Sequence, residues 1–213
     1  MPFDRKLRQQ IERALQTQDD ATGRRLVDDA ARLWGRITKL VHVGLVGEHA
    51  DLDALELATW AVHLPLRDVK LLPRGRLGKT SLKDRAEQAA ELLVGTFGDA
   101  VDESLLDRAT RILHEVPHRS PVLDEAKLLA DAVNLEDFGV VGLVQQAIEL
   151  SRHGDGVNQL ADGVDKREQY GYWDARLKDG FHFEPVRQMA RRRLDHARQV
   201  AALLRRELDE DTR

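Results

Sequence analysis

Apolar residues recur at spacings of three and four along most of the chain, which is the period of an α-helix with one buried face. The first stripe consists of Phe3, Leu7, Ile11, Ala14 and Leu15. A longer stripe over residues 26–41 predicts a second helix, which Thr22 is suited to cap. Strand-like alternation of apolar and polar residues is missing from the sequence. The pattern therefore predicts an all-α protein.

The segment at residues 52–66, LDALELATWAVHLPL, is apolar on nearly every side. It is too short to cross a bilayer, so we expect a buried central helix, with Trp60 and Val62 inside. Pro65 should stop or kink this helix, because proline lacks the backbone N–H that the helix needs.

Further helices are predicted along the rest of the chain. Ser81, with Asp84 three residues on, is suited to cap a helix that reaches Leu93. Pro185 is suited to begin a last helix over residues 186–208. Two stretches rich in turn-forming residues predict loops, at residues 70–81 and 152–163. Helical spacing also covers residues 103–116, 123–131 and 140–150.

Composition narrows the class of protein. The chain has 213 residues, enough for one sizeable core, with 33 basic and 37 acidic residues and a net charge of −4. This balance gives no overall positive field, so we expect no nucleic-acid partner. With no cysteine, disulfides, thiol catalysis and thiolate metal sites are excluded. The sequence shows neither a signal peptide nor a run of about 18 apolar residues, and we expect a cytoplasmic protein with no membrane partner.

Histidine and aspartate are the residues on which metal or acid–base chemistry would depend here. His63 lies in the apolar segment, where a hydrogen-bonded core histidine is the plainer alternative to a ligand. His114 and His118 are four apart and would share a helical face if the helix continued past Pro117. Asp131 follows an apolar stretch, so it needs a hydrogen-bonding partner or a cavity.

Four stretches follow one another along the chain in an order that resembles a known protein family. They are ATWAVHL at 58–64, KTSLKDRAEQAAELL at 79–93, ILH at 112–114, and EAKLLADAVNLEDFGVVG at 125–142. Over roughly residues 5–208 the chain resembles the HD superfamily of metal-dependent phosphohydrolases, above all small bacterial members with a C-terminal helical extension. The resemblance implies one HD-like helical domain over residues 1–213, with a core at about 18–150 and an extension at about 151–213.

The chain departs from this family at the metal ligands, which in the family are a His, a His-Asp doublet and a distant Asp. Thr22 stands at the first histidine, Leu64 at the aspartate of the doublet and Val133 at the distant aspartate, so that His63 alone is retained. Leucine and valine carry no lone pair for a metal. We therefore expect no metal and no other cofactor.

These departures favour a catalytically degenerate HD-domain protein, a pseudoenzyme acting as a ligand-binding, regulatory or interaction module. The alternative is an HD-type phosphohydrolase with a rebuilt or shifted site, acting on a phosphate ester or nucleotide. In it His63, His114, His118 and Asp131 would bind a divalent metal in a shifted position, or act as acid and base without one. An unrelated helical protein with a chance likeness is the third possibility.

Basic residues in the segments around the family's site indicate which ligand would suit it. The candidates for binding a phosphate or carboxylate group are Arg24, Arg25, Lys79 and Lys127. Each of them, taken singly, is also explained as an ordinary surface charge. We expect as partner either a small molecule bearing a phosphate or carboxylate, or a protein, and a homo-oligomer is an open alternative.

Overall fold

Helices account for the regular structure in the part of the chain that the structure describes. The computed structural model describes residues 4–16, 20–67, 81–152 and 154–211. For residues 20–24 and 152 it describes the backbone but not the side chains. Within these ranges there are ten α-helices, two 3-10 helices and no β-strand, so the predicted all-α fold is confirmed. The α-helices are α1 (Arg5–Leu15), α2 (Asp20–His42), α3 (Leu52–Ala61), α4 (Leu82–Phe97), α5 (Glu103–Glu115), α6 (Asp124–Asn134), α7 (Val140–Arg152), α8 (Val157–Gln169), α9 (Tyr172–Asp179) and α10 (Glu184–Asp211). No described helix combines the length and the apolar character that crossing a bilayer requires.

The chain divides into two compact units, Met1–Ala130 and Asp131–Arg213. The first holds α1 to α5 and most of α6, and the second holds the end of α6 and α7 to α10. The proposed limits of a core at about 18–150 and an extension at about 151–213 stay a prediction.

Helix α3 is the centre of the first unit. Every residue from its third to its last is buried, and the helix packs against α2, α4 and α5. Trp60 and Val62 are both buried, as expected from the apolar sequence. Each large apolar side chain buried in this way contributes about 1.5–3 kcal/mol. The 3-10 helix Leu64–Arg67, two residues after α3, packs against α1, α2 and α4.

An aromatic cluster organises the second unit. The ring of Phe138, which is fully buried, meets the rings of Trp173 and Phe181 edge-on, at centroid distances of 5.1 and 5.4 Å. Gly139 follows with φ of +90°, and a Cβ there would lie 3.1 Å from Cβ of Arg193 on α10. Only glycine accepts that backbone conformation and that approach together. Helices α7, α8 and α10 of this unit pack against one another.

Local signals in the sequence set several helix ends as expected. The Ser81 hydroxyl accepts a hydrogen bond from the Asp84 N–H at 3.0 Å and so caps α4. Helix α3 ends at Ala61, four residues before Pro65. Pro65 has no backbone N–H to continue the α-helical hydrogen bonds, and the chain goes on as the 3-10 helix Leu64–Arg67.

Two predictions about elements are wrong, and one helix was missed. Helix α2 begins at Asp20, so Thr22 lies inside the helix and does not cap it. Most of the predicted loop at 152–163 is helical, because α8 begins at Val157, where the Gly156 N–H donates to the Gln159 side chain at 3.0 Å. Burial of Ala161 and Val164 outweighs the weak helix propensity of that segment. Helix α9 was not predicted.

Candidate functional site

His63 is a buried histidine at the end of the central helix of the first unit. It lies in the turn between α3 and the 3-10 helix Leu64–Arg67, and only 1% of its surface is exposed. Its Nδ1 atom is 3.3 Å from the carbonyl oxygen of Thr59, one helical turn back. The imidazole of His63 is therefore held by a protein group.

Helix α2 brings a carboxylate and two arginines to this region. Asp29 lies on the apolar stripe of the helix between Leu26 and Leu33 and is almost fully buried. Its carboxylate pairs with the Arg32 guanidinium at 2.8 Å and lies 3.8 Å from that of Arg25. The two arginine side chains keep 37% and 28% of their surface exposed, so solvent reaches them.

Helix α4 adds a third arginine. Arg85 stands in the first turn of α4, and its Nε–H donates to the carbonyl oxygen of Val62 at 2.7 Å. This bond fixes a guanidinium next to the residue that precedes His63. We call Arg25, Arg32 and Arg85 the arginine cluster.

Electrostatics tie the arginine cluster to His63. Burial is the main cause that lowers the pKa of His63 well below its usual 6.5, and the positive charges of Arg85, Arg32 and Arg25 lower it further. The hydrogen bond to the Thr59 carbonyl acts in the opposite direction. The imidazole is therefore neutral at physiological pH, in a positive field that favours an anion.

The residues next to His63 do not fit a divalent metal. Leu64 is buried, with 1% exposed, and offers only carbon atoms where the family has an aspartate. One imidazole cannot hold a hard cation against water, and the arginine cluster would repel it. Over the described ranges no three His, Asp or Glu side chains are grouped as a metal would need. Val133 is buried in the second unit, and the Thr22 side chain lies outside the described residues.

Asp131 has a structural partner in the second unit. Its fully buried carboxylate accepts hydrogen bonds from the backbone N–H groups of His182 and Phe183, at 2.8 and 2.9 Å, just before α10 begins. Burial raises the pKa of Asp131 to about 6, although these two bonds and the charge of Arg187 lower it. The carboxylate satisfies N–H groups at the start of a helix, which explains why an acid is buried there.

The two histidines near the end of α5 do not form a paired site. The helix ends at Glu115, so His118 lies beyond it, and the predicted common helical face is not formed. Both histidines are exposed. The neighbouring Glu115 is the buried group instead, and its carboxylate accepts from the N–H groups of Val122 and Leu123 at 2.7 and 2.8 Å, ahead of α6.

The candidate anion-binding residues have different placements. Arg25 belongs to the arginine cluster. Lys127 pairs with Asp124 on its own helix at 2.8 Å, as a surface charge would. The side chain of Arg24 and the whole of Lys79 lie outside the described residues.

Sequence reasoning missed Asp29, Arg32 and Arg85. Asp29 could have been found, because it occupies a position on the apolar stripe of α2 where only a paired carboxylate is tolerated. Arg32, one turn further on, is then its natural partner at the i,i+3 spacing. Nothing local marks Arg85, whose partner Val62 is 23 residues away.

A second basic region, in the other unit, serves as a reference. A cleft of about 340 Å³ is lined by Lys178, Arg187 and Arg191 together with Asp174 and Leu177. Arg187 is engaged there with Glu184 and with the carbonyl oxygen of Phe181. An exposed ion pair such as Arg187–Glu184 contributes little to the stability of the fold. We call this region the reference cleft.

Comparison with known proteins finds a solved structure of similar fold. No family model and no curated protein matches the chain. A solved structure, described as the crystal structure of Bacillus subtilis YpgQ in complex with ADP, aligns with a TM-score of 0.57 at 21% identity. The alignment covers 96% of this chain and 97% of that one. At this identity the likeness concerns the fold alone, and the chain is similar to YpgQ in fold.

Proposed function

We propose that this protein is a catalytically degenerate HD-domain protein that binds a phosphate-bearing small molecule, of the nucleotide class, through the arginine cluster. The observation that carries the proposal is the arrangement of the arginine cluster beside the buried His63. Two of its members share the Asp29 carboxylate, and the third donates to the carbonyl oxygen of the residue before His63. Such a site attracts an anion.

Arginine is the side chain best suited to a phosphate. Its planar guanidinium offers two parallel N–H groups to two phosphate oxygens and stays charged at any physiological pH. Partial exposure of Arg25 and Arg32 lets a ligand approach from solvent. The ADP in the YpgQ crystal supports the nucleotide class, because a protein of similar fold accommodates a nucleoside diphosphate.

The loss of catalysis is inferred from what stands at the metal positions. In the HD family the metal polarises the phosphoryl oxygens and activates a bound water. Leu64 supports the loss of that chemistry because it is buried and aliphatic. A rebuilt active site gains no support from the other candidates, since Asp131 is engaged by backbone N–H groups and His114 and His118 are exposed. A protein partner, a homo-oligomer and a cytoplasmic location stay predictions.

The test is calorimetric titration of ADP into the protein and into two variants of equal charge. Arg32→Gln removes a member of the arginine cluster, whereas Lys39→Gln removes an exposed cation from the same helix. We expect the first to weaken ADP binding roughly tenfold, which corresponds to about 1.4 kcal/mol, and the second to change it little. Equal affinities in all three proteins, or no ADP binding by the parent, would refute the proposal.

A further inference from the structure

We propose that the arginine cluster selects the metal-free form of its phosphate ligand and discriminates against the form complexed with a divalent cation. This inference rests on the proposed function and specifies the chemical state of the ligand. It reverses what the family resemblance implies, since in the HD family the cation is part of the site.

The charges around His63 are the first argument. Helix α2 contributes Arg25, Arg32 and Asp29, and α4 contributes Arg85. The Asp29 carboxylate already lies between two of these arginines, so it is engaged with cations of the protein. A divalent cation entering with the ligand would meet these guanidinium groups, and like charges repel.

The second argument is that Leu64 offers no ligand for a cation at the position where the HD family has an aspartate. Leu64 follows His63 directly, and it is buried. Magnesium keeps most of its water ligands and takes oxygen ligands from carboxylates. An aliphatic side chain with 1% exposure provides neither oxygen atoms nor space for those waters.

The third argument is competition for the same oxygen atoms. A magnesium ion on a nucleoside diphosphate neutralises two negative charges and occupies oxygens of both phosphates. Each guanidinium group donates two parallel hydrogen bonds to a pair of those oxygens. These bonds are strongest when the phosphates carry their full negative charge. The cation and the arginine cluster are therefore alternatives, and magnesium should weaken binding.

The experiment measures ADP affinity by calorimetry in two buffers of equal ionic strength, one with EDTA and one with excess magnesium chloride. We expect affinity roughly tenfold weaker in magnesium. The Lys39→Gln variant should keep this sensitivity. Arg85→Gln should bind more weakly in EDTA and lose most of the sensitivity, and its circular dichroism spectrum is compared with the parent's.

The outcomes separate the two proposals. Equal or tighter ADP binding in magnesium would overturn the metal-free inference and leave the proposed function standing. No ADP binding in either buffer would overturn both. A readout that needs no folded variant is Mn²⁺ titration of the ligand-free parent by electron paramagnetic resonance, for which we expect no tightly bound ion. One tightly bound Mn²⁺ per chain, displaced by ADP, would also overturn the inference.

Discussion

His63 and Asp131 are both fully buried polar residues, yet their surroundings differ in kind. Asp131, in the second unit, has both carboxylate oxygens engaged by backbone N–H groups that precede α10. His63, in the first unit, has one long contact to a carbonyl oxygen and three arginines acting on it. A buried acid bonded to the backbone holds a fold together, whereas a neutral imidazole among cations marks a place where an anion is favoured.

The largest effect should come from making the surroundings of His63 polar. Leu64→Asp removes a buried apolar side chain and buries an acid, and we expect the free energy of unfolding to fall by about 4 kcal/mol. Leu64→Met keeps the volume and should cost less than about 1.5 kcal/mol. Urea denaturation followed by circular dichroism measures both. A Leu64→Asp protein as stable as the parent would mean that this position is open to water.

The next effect tests the structural role of Asp131. Asp131→Ala leaves two N–H groups before α10 without their acceptor, which should lower the free energy of unfolding by about 3 kcal/mol. Asp124→Ala, on the same helix, removes only an exposed pair with Lys127 and should cost less than about 1 kcal/mol. Urea denaturation measures both variants. Equal losses of unfolding free energy in the two would contradict a structural role for the Asp131 carboxylate.

A smaller effect follows from the pKa of Asp131. Because burial raises this pKa from 3.8 to about 6, the native state binds the proton more tightly than the unfolded chain does. The part of the stability that comes from this tighter proton binding is fully present below pH 3.8 and is lost as the pH rises through 6, whereas the hydrogen bonds from the two N–H groups remain. Between pH 5 and pH 7 the parent should lose about 1 kcal/mol relative to Asp131→Asn. Parallel pH profiles of the two proteins would contradict the raised pKa.

His63 should show the opposite dependence on pH. Its pKa is lowered in the native state, so the unfolded chain takes up the proton first as the pH falls. The contribution of His63 is therefore present above pH 6.5 and is lost below it. Relative to His63→Gln, the parent should gain free energy of unfolding as the pH rises from 5 to 7. A difference that falls over this range would show that His63 is charged in the native state.

The features that could be predicted from the sequence are those that depend on residues close together along the chain. The apolar segment before Pro65, the cap at Ser81 and the start of the last helix near Pro185 are local, and the structure bears them out. Helix α8 was missed because tertiary burial of Ala161 and Val164 decides it, which local composition does not show.

The candidate site required contacts that no local pattern contains. The acceptor role of Asp131 depends on His182, 51 residues later. The arginine cluster forms only when α4 approaches the turn after α3, and Arg85 and Val62 are 23 residues apart. From the sequence, His63 and Arg25 were found, whereas Arg32 and Arg85 came from the fold.

The most direct test of the account is the NMR response of arginine side chains to ADP in EDTA. The Nε–H signals of Arg25, Arg32 and Arg85, assigned by single Arg→Gln variants, report on the cluster, and those of Arg187 and Arg191 report on the reference cleft. We predict that the three cluster signals shift together and saturate along one binding curve while the cleft signals stay in place. Shifts confined to Arg187 and Arg191, with the cluster unchanged, would contradict the account.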